Sequence, residues 1–426
     1  MHLAKNEFHT TSKPKERCIL VGLKCKESRT LGDSDDLSEL AELSKTAGAE
    51  VKRKVIQERD NPDGTYFVGK GKAEELANLI KEENLDVAIF DDELSPTQVK
   101  NLENLFNIKV LDRSGLILDI FAAHAKTREA RLQVELAQLK YYLPRLTNQW
   151  FHLSRQVGGI GTKGPGETQL ETDKRLVRKR IYQLERSLEK VRKQKIVQSK
   201  KTRDYTHIAI VGYTNAGKST LMNALTKSNT NVENKLFATL DTISRRFELA
   251  KGLNILLSDT VGFINKIPHQ LIASFQTTLS QAINADILLH VVDSSDKNCE
   301  QHINIVHKIL KELAITKVPL LIMNKVDRVK DTHTITTLRH KFPDAIFVSA
   351  LKNIRVDRLK AIICERILSE HQDLEIYIVY NKSEYKINML KTFTEVVEIV
   401  YLENRIKLRL RFLAKYYKKV NKILFS

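Results

Sequence analysis

The sequence feature with the clearest chemistry is a glycine-rich octapeptide that matches the pattern Gly-x-x-x-x-Gly-Lys-Ser. In such a loop the backbone N–H groups surround the β-phosphate of a nucleotide, the lysine reaches the β- and γ-phosphates, and the serine hydroxyl binds Mg²⁺. An apolar stretch at 207–211 precedes it and a helical pattern at 220–225 follows it, which is the context that this loop requires. The predicted nucleotide-binding loop consists of Gly212, Tyr213, Thr214, Asn215, Ala216, Gly217, Lys218 and Ser219.

Three further motifs each follow an apolar stretch, at 254–257, 318–323 and 345–348. An aspartate after the first stretch can hold Mg²⁺ through water, and a nearby glycine N–H can contact the γ-phosphate. An aspartate after the second can accept hydrogen bonds from guanine N1 and N2, which adenine does not offer, and backbone N–H groups after the third can contact guanine O6. Because ligands bind at the carboxyl ends of strands in an open α/β sheet, we expect one GTP site. The motif residues are Asp259, Thr260, Val261 and Gly262; Asn324, Lys325, Val326 and Asp327; and Ser349, Ala350 and Leu351.

A fourth motif lies between the loop and Asp259, where a threonine must close on Mg²⁺ and the γ-phosphate. We assign this contact, and the second metal-ligand position beside Ser219, to Thr239, with Thr242 as the alternative. Lys218, Thr239 and Gly262 then form the expected catalytic set, which acts by positioning and electrostatic stabilisation. The motif residues are Phe237, Ala238, Thr239, Leu240 and Asp241.

Phe263 follows Gly262 at the place where Ras-type enzymes carry a glutamine that orients the attacking water. A phenylalanine side chain cannot orient water by hydrogen bonding, so we expect slow GTP hydrolysis by the protein alone and stimulation by a partner. Asn215 is compatible with a bound K⁺ ion that replaces an arginine finger, and equally with a side chain that only makes the loop rigid. The sequence leaves both interpretations open.

The stretches that carry these motifs belong to an α/β pattern. Near-continuous apolar strands alternate with helices over residues 204–370, which predicts a P-loop GTPase domain with a parallel sheet between helices. Residues 1–125 show the same alternation and predict a smaller N-terminal α/β domain, and residues 371–426 predict a small α+β domain. Within residues 1–125 we expect strands at 18–23 and 86–90 and helices at 35–47, 73–83 and 94–105.

Residues 126–203 have the apolar spacing of paired helices. Leucines at 132, 136, 139, 143 and 146 are spaced by four and three residues, and the seam from Val177 to Val191 repeats this spacing. We therefore predict an antiparallel helical hairpin whose first helix ends near Pro144. Between the helices, 158–167 contains five glycines in ten residues, which suits either a flexible connector or a loop that reaches into a crevice of a partner.

Charge is concentrated in two segments of this basic chain, which carries 70 Lys+Arg, 52 Asp+Glu and a net charge of +18. Residues 126–203 hold 20 Lys+Arg against 7 Asp+Glu, and 401–426 hold 8 against one. Such clusters favour two surfaces for RNA phosphates. For the second segment, with Leu408, Leu410 and Phe412 between its basic residues, the alternative is a helix on a membrane surface. Four scattered cysteines and no membrane-length apolar run lead us to expect a cytoplasmic protein, and nothing demands more than a monomer.

Four segments outside the nucleotide motifs resemble the HflX family of translational GTPases. They are 68–76 (VGKGKAEEL), 111–115 (LDRSG), 127–137 (TREARLQVELA) and 158–173 (GGIGTKGPGETQLETD), and the segments 212–219 and 237–241 are also similar. The sequence departs from the family at Thr242-Ile243-Ser244, where Pro-Thr-Thr is usual, which affects the expected geometry around Thr239.

This resemblance implies a function that composition does not. It implies binding to the ribosome, chiefly to the 50S subunit and its rRNA, and splitting or rescue of stalled ribosomes under stress in the GTP state. The glycine-rich loop would reach toward the peptidyl transferase centre, and Mg²⁺ would be bound by the residues that match the family's ligands, Ser219 and Thr239. The alternative is an RNA-binding or ribosome-assembly switch with little turnover.

Overall fold

The computed structural model describes most of the chain, with gaps. The described residues are 15–24, 37–146, 169–199, 205–228, 236–237, 243–250, 253–266, 283–369, 371–379, 383–391, 394–413 and 417–424. The predicted tip loop at 158–167 and the switch residues 238–242 lie outside them.

A four-stranded parallel sheet with the order β2-β1-β3-β4 organises the N-terminal region. Its strands are β1 (Arg17–Lys24), β2 (Glu50–Glu58), β3 (Val87–Phe90) and β4 (Lys109–Asp112). Its helices are α1 (Ser38–Thr46), α2 (Lys70–Glu82), α3 (Pro96–Phe106) and α4 (Arg113–His124). Separate apolar cores cover the two faces of the sheet, which confirms the predicted α/β class.

Several element boundaries in this region differ from the predictions. The helix α2 begins at Lys70 rather than at residue 73, because Gly69 has an extended conformation and ends the preceding segment. Strand β2 was not predicted, since it is an edge strand whose mostly charged side chains are exposed or half-buried. Helix α4 was not predicted either, since it is buried around most of its circumference and lacks a one-sided apolar pattern.

Two helices, α5 (Arg128–Tyr142) and α6 (Gln169–Ser199), pack against each other in the basic segment. Salt bridges at 2.7 Å join them, from Arg180 to Glu135 and from Lys140 to Glu185. A 3₁₀ turn that contains Pro144 ends the first helix, as predicted. Helix α5 also packs on α4 through a second apolar stripe that includes Val134.

A buried aspartate at the end of β4 connects the C-terminal end of α5 to the N-terminal sheet through hydrogen bonds. The Asp112 carboxylate is fully buried and accepts hydrogen bonds from Tyr141 Oη at 2.6 Å and Arg145 Nη2 at 2.9 Å. It also accepts from the Gly115 and Leu94 N–H groups. Every lone-pair direction of the carboxylate is therefore used within the described structure.

A six-stranded sheet with the order β10-β9-β8-β5-β7-β6 organises the nucleotide-binding region. It is parallel except for the β6–β7 pair, which is antiparallel. Its strands are β5 (Thr206–Gly212), β6 (Ile243–Ala250), β7 (Leu253–Asp259), β8 (Ile287–Asp293), β9 (Leu320–Asn324) and β10 (Ile346–Phe347). The described helices around it are α7 (Lys218–Thr226), α8 (Cys299–Glu312), α9 (Thr332–Lys341) and α10 (Val356–Ser369). The four apolar stretches predicted at 207–211, 254–257, 318–323 and 345–348 all contain strands, and the missed strand β6 has an exposed, polar alternation typical of an edge.

A three-stranded antiparallel sheet with the order β11-β13-β12 lies at the C-terminal end. Its elements are β11 (His371–Val379), α11 (Ser383–Leu390), β12 (Glu395–Tyr401), β13 (Arg405–Leu413) and α12 (Tyr417–Leu424). The interpretation of Leu408, Leu410 and Phe412 as part of a membrane-surface helix is therefore wrong. Strict alternation of basic and apolar residues has the two-residue period of a strand, and it buries these three side chains in the core.

The same sheet pairs three of the eight C-terminal basic residues with two acids. Arg411 and Arg409 pair with Asp373 at 2.9 and 3.2 Å, and Lys407 pairs with Glu375 at 2.7 Å. Because both acids lie on β11, outside the window 401–426, counting charge along the sequence overstated the basic character of this surface.

Candidate nucleotide-binding and catalytic site

The phosphate-binding loop joins β5 to α7, and its lysine lies inside the loop. Lys218 is 7% exposed, and its Nζ donates hydrogen bonds to the carbonyl oxygens of Gly212 at 3.2 Å and Tyr213 at 2.7 Å. Burial lowers the pKa of Lys218 to about 8, and the nearby Asp259 opposes that shift. The amino group is thus held where the bound phosphates of a nucleotide would restore its full charge.

Gly217, the last glycine of the loop, has no room for a side chain. Its φ is +90°, and an added Cβ would lie 2.4 Å from Asn324 Nδ2. That amide donates to the Ala216 carbonyl at 3.0 Å, while Asn324 Oδ1 accepts from the Ala350 N–H at 3.0 Å. Asn324 therefore ties the phosphate-binding loop to two of the predicted guanine motifs. In the same corner, Lys325 Nζ donates to the Asn215 carbonyl at 2.6 Å.

The remaining guanine-motif residues lie where the sequence predicts, at the ends of β9 and β10. Asp327 is exposed on a 3₁₀ turn, where its carboxylate can accept hydrogen bonds from the guanine base of a nucleotide. Ser349 is fully buried, Ala350 is nearly so, and Leu351 is 66% exposed. The Val326 side chain belongs to the apolar core beside this turn.

Ser219, one of the two predicted Mg²⁺ ligands, lies in direct contact with Asp259. Ser219 Oγ donates to Asp259 Oδ2 at 2.6 Å, whereas the buried Asp259 Oδ1 has no hydrogen-bond partner among the described residues. Burial raises the pKa of Asp259, which Lys218 and Ser219 counteract. A hydroxyl beside an aspartate with a spare oxygen fits Mg²⁺ that is also bound by phosphates and water. Thr239, the other predicted ligand, lies outside the described residues.

The segment after Asp259 lies directly against the phosphate-binding loop. The Thr214 N–H donates to the Phe263 carbonyl at 2.7 Å, and the Phe263 N–H donates to the Gly212 carbonyl at 3.1 Å. A Cβ added to Gly262 would lie 2.9 Å from Lys218 Nζ. Neighbouring Thr260 is anchored by a hydrogen bond from its hydroxyl to the Ile210 carbonyl, and Val261 faces the N-terminal region.

The N-terminal region contacts this site through Tyr213. The Tyr213 hydroxyl donates to Glu39 of α1 and accepts from the Asn265 N–H at 2.8 Å. Its ring is stacked on His302 of α8, with ring centroids 3.8 Å apart. Burial, followed by the negative charge of Glu39, raises the pKa of Tyr213, so this hydroxyl stays protonated and can act as a donor.

Glu39 belongs to a charge network centred on a buried arginine. Arg113 is 3% exposed and pairs with Glu39 and, at 2.6 Å, with Asp91. From the other side, Lys266 approaches Asp91 at 3.3 Å and Asp92 at 2.7 Å. This network connects the N-terminal sheet to both the phosphate-binding loop and the segment after Gly262.

Apolar contacts reinforce the same interface. Phe237, predicted as part of the nucleotide site, is 4% exposed and packs edge-on against Phe121 of α4 at 4.7 Å between centroids. Leu236 and Ile264 belong to the same continuous core. This interface was not predicted from the sequence. Arg113, an arginine at the start of an otherwise apolar helix, is the residue that could have indicated it.

The fold and the site together define a P-loop GTPase. Family models match the chain at 34–122 ("GTP-binding GTPase N-terminal"), 124–202 ("GTP-binding GTPase Middle Region") and 207–325 ("50S ribosome-binding GTPase"). A solved GTP-binding protein from Sulfolobus solfataricus, in complex with GDP, is 26% identical, with 82% of this chain and 98% of that chain aligned and a TM-score of 0.42.

Curated relatives narrow the assignment. The chain is 42% identical to the GTPase HflX of Caldanaerobacter subterraneus subsp. tengcongensis, over 93% of this chain and 91% of the relative. It is 43% identical to the GTPase HflX of Escherichia coli, over 83% and 84% of the two chains. The chain belongs to the HflX family of GTPases, which confirms the resemblance, and it is a GTP-hydrolysing enzyme. Among the described residues, no helix is long and apolar enough to cross a membrane.

Proposed function

We propose that this chain is a GTP-dependent factor of the large (50S) ribosomal subunit that splits or rescues stalled ribosomes under stress, acting as a cytoplasmic monomer. The observation that carries the proposal is the exposed basic surface of α6. Among the described side chains of this helix, Arg180 is exposed but pairs with Glu135, and the other exposed cations are Arg175, Arg178, Lys179, Arg186, Lys190, Arg192 and Lys193. A surface of this kind suits the phosphate backbone of rRNA.

In the proposed catalytic site, Lys218 neutralises charge on the β- and γ-phosphates and the Gly262 N–H contacts the γ-phosphate. Ser219 and Thr239 would hold Mg²⁺, with Asp259 acting through water. When bound, the metal supplies charge neutralisation between the phosphates. Hydrolysis is slow in the free protein, since Phe263 lies in an apolar core with Val211 and Leu288 and offers no group to the attacking water. The ribosome supplies the missing stimulation.

The proposed cycle uses the segment after Asp259 as a switch. GTP binding draws Gly262 onto the γ-phosphate and changes the contacts that this segment makes with the N-terminal region, which fixes a ribosome-binding conformation. Hydrolysis reverses the change and releases the factor. A K⁺ ion beside Asn215 is a further proposal, and turnover compared in potassium and sodium chloride tests it.

A ribosome pelleting assay tests the partner and the electrostatic contact together. Purified 50S subunits are mixed with the full chain and either GDP or a non-hydrolysable GTP analogue across a salt series. For the association constant K with 50S subunits, log K falls as log salt rises. Replacing Arg178, Lys179 and Arg186 with glutamine should make this slope less steep by about 2–3. Replacing Lys308, Lys311 and Lys341 removes the same charge elsewhere and should leave the slope unchanged. GTP turnover is measured in parallel with and without 50S subunits, and absence of stimulation at physiological salt would refute the proposal.

A further inference from the structure

A threonine of the phosphate-binding loop has a buried hydroxyl with no protein partner among the described residues. Thr214 is 6% exposed, and its Oγ1 makes no hydrogen bond there. Leaving a buried hydroxyl unsatisfied costs on the order of 1–3 kcal/mol, so such groups in native proteins call for an explanation. The backbone of this residue is satisfied, because its N–H donates to the Phe263 carbonyl at 2.7 Å.

The Thr214 side chain lies at the point where the γ-phosphate contacts converge. A Cβ added to Gly262 would lie 2.9 Å from Thr214 Cγ2 and 2.9 Å from Lys218 Nζ. The threonine methyl group, the lysine that reaches the β- and γ-phosphates and the proposed γ-phosphate sensor therefore meet at one place. The hydroxyl is bonded to the same Cβ as that methyl group.

We propose that Thr214 is a further catalytic residue, whose hydroxyl donates a hydrogen bond to an oxygen of the γ-phosphate. This inference rests on the GTP site proposed above. In hydrolysis the water oxygen bonds to the γ-phosphorus, and the bond from that phosphorus to the β–γ bridging oxygen breaks, so that this oxygen leaves with GDP. One proton of the water stays on the attacking oxygen and the other moves to another oxygen of the product phosphate. Thr214 keeps its own proton and stabilises charge on the transferred group.

The test compares Thr214→Val, which keeps the shape of the side chain, with Thr214→Ser, which keeps the hydroxyl. Single-turnover hydrolysis of GTP is measured with the full chain in excess and without ribosomes, and GDP affinity is measured by displacement of a fluorescent GDP. Thr214→Val should lower kcat/KM for GTP by about 10- to 100-fold, the value of a hydrogen bond to a charged group, with GDP affinity unchanged. Thr214→Ser should recover most of this loss.

Thermal stability separates this role from a structural one. Without nucleotide, Thr214→Val should unfold at the same temperature as the natural protein or higher, because no protein hydrogen bond is lost. The matched control is Thr394→Val, a buried threonine whose hydroxyl donates to the Leu390 carbonyl at 2.7 Å. It should lower the unfolding temperature without changing turnover.

Two results would overturn the inference: turnover of Thr214→Val within twofold of the natural protein, or equal losses of GTP turnover and GDP affinity. Failure of the natural chain to bind GDP would instead refute the GTP site itself.

Discussion

Lys266 offers a direct test of whether the N-terminal region opposes the GTP state. Its ammonium group lies 2.7 Å from Asp92 and 3.3 Å from Asp91, and its side chain is 33% exposed. Gly262, four residues earlier, is the proposed γ-phosphate contact, so Lys266 belongs to the segment that GTP binding is proposed to move. Because the movement would pull Lys266 away from both acids, we predict that the two ion pairs disfavour GTP relative to GDP.

The expected size follows from the exposure of the three side chains. Partly exposed ion pairs contribute about 0.2–1 kcal/mol each after screening, so the two together supply about 1 kcal/mol. Lys266→Ala should therefore raise the affinity for a non-hydrolysable GTP analogue, relative to that for GDP, by about fivefold. The effect should shrink in high salt, since screening weakens the pairs in the natural protein.

Competitive displacement of a fluorescent GDP measures both affinities in the full chain. Lys341→Ala is the matched control, because Lys341 also forms a partly exposed ion pair, with Glu300 at 2.6 Å, and neither residue belongs to the segment after Gly262. It should leave the affinity ratio unchanged. An unchanged or reduced ratio in Lys266→Ala would contradict the reasoning, because it would mean that this segment keeps its contacts when GTP binds.

Three further predictions concern the base, the core and the helical segment. Asp327→Asn should weaken GTP binding by about 10- to 100-fold and improve binding of xanthosine triphosphate, because an amide can donate to the xanthine 2-oxo group; competition between the two nucleotides measures this. Burial, with smaller contributions from His307 and Lys218, lowers the pKa of the fully buried His290 from 6.5 to about 3. The unfolded chain therefore binds this proton more readily than the folded state, and the folded state loses stability as the pH falls below 6.5. Between pH 7 and pH 5, the unfolding free energy of His290→Leu should therefore fall by about 2 kcal/mol less than that of the natural protein, as measured by urea titration. An equal fall in the two proteins would contradict this prediction. Asp112→Ala should destabilise the protein by about 3–5 kcal/mol, because the largely buried Arg145 loses its partner. Asp119→Ala, whose bridge to Lys109 is exposed and 3.8 Å long, should cost under about 1 kcal/mol by the same unfolding measurement.

The nucleotide motifs were predictable because each depends on residues close together in the sequence. A strand, a tight turn and a helix N-terminus fix the geometry around Lys218, and the sheet topology then brings in Asp259 and Asn324. The roles assigned to these residues, and the domain boundaries at 125, 203 and 370, stay predictions.

Other features depend on contacts that no local pattern encodes. Glu39 belongs to the N-terminal region and becomes a neighbour of Tyr213 only when that region packs against the nucleotide-binding region. Asn265 follows β7 and reaches Tyr213 because β7 pairs with β5. The strand at Arg405–Leu413 was misread for a different reason: its charge dominated the interpretation, although its two-residue period was visible in the sequence.

The apolar core shared by the two sheets has a consequence for how the molecule can be divided. Phe237, Val261 and Ile264 are buried by residues of the N-terminal region such as Phe121. A chain that began at residue 205 would expose these side chains to water beside its nucleotide site, and we expect it to self-associate. The GTPase sheet is therefore not an autonomous unit to which an accessory was added, because part of its interior is supplied by the segment that the ribosome synthesises first.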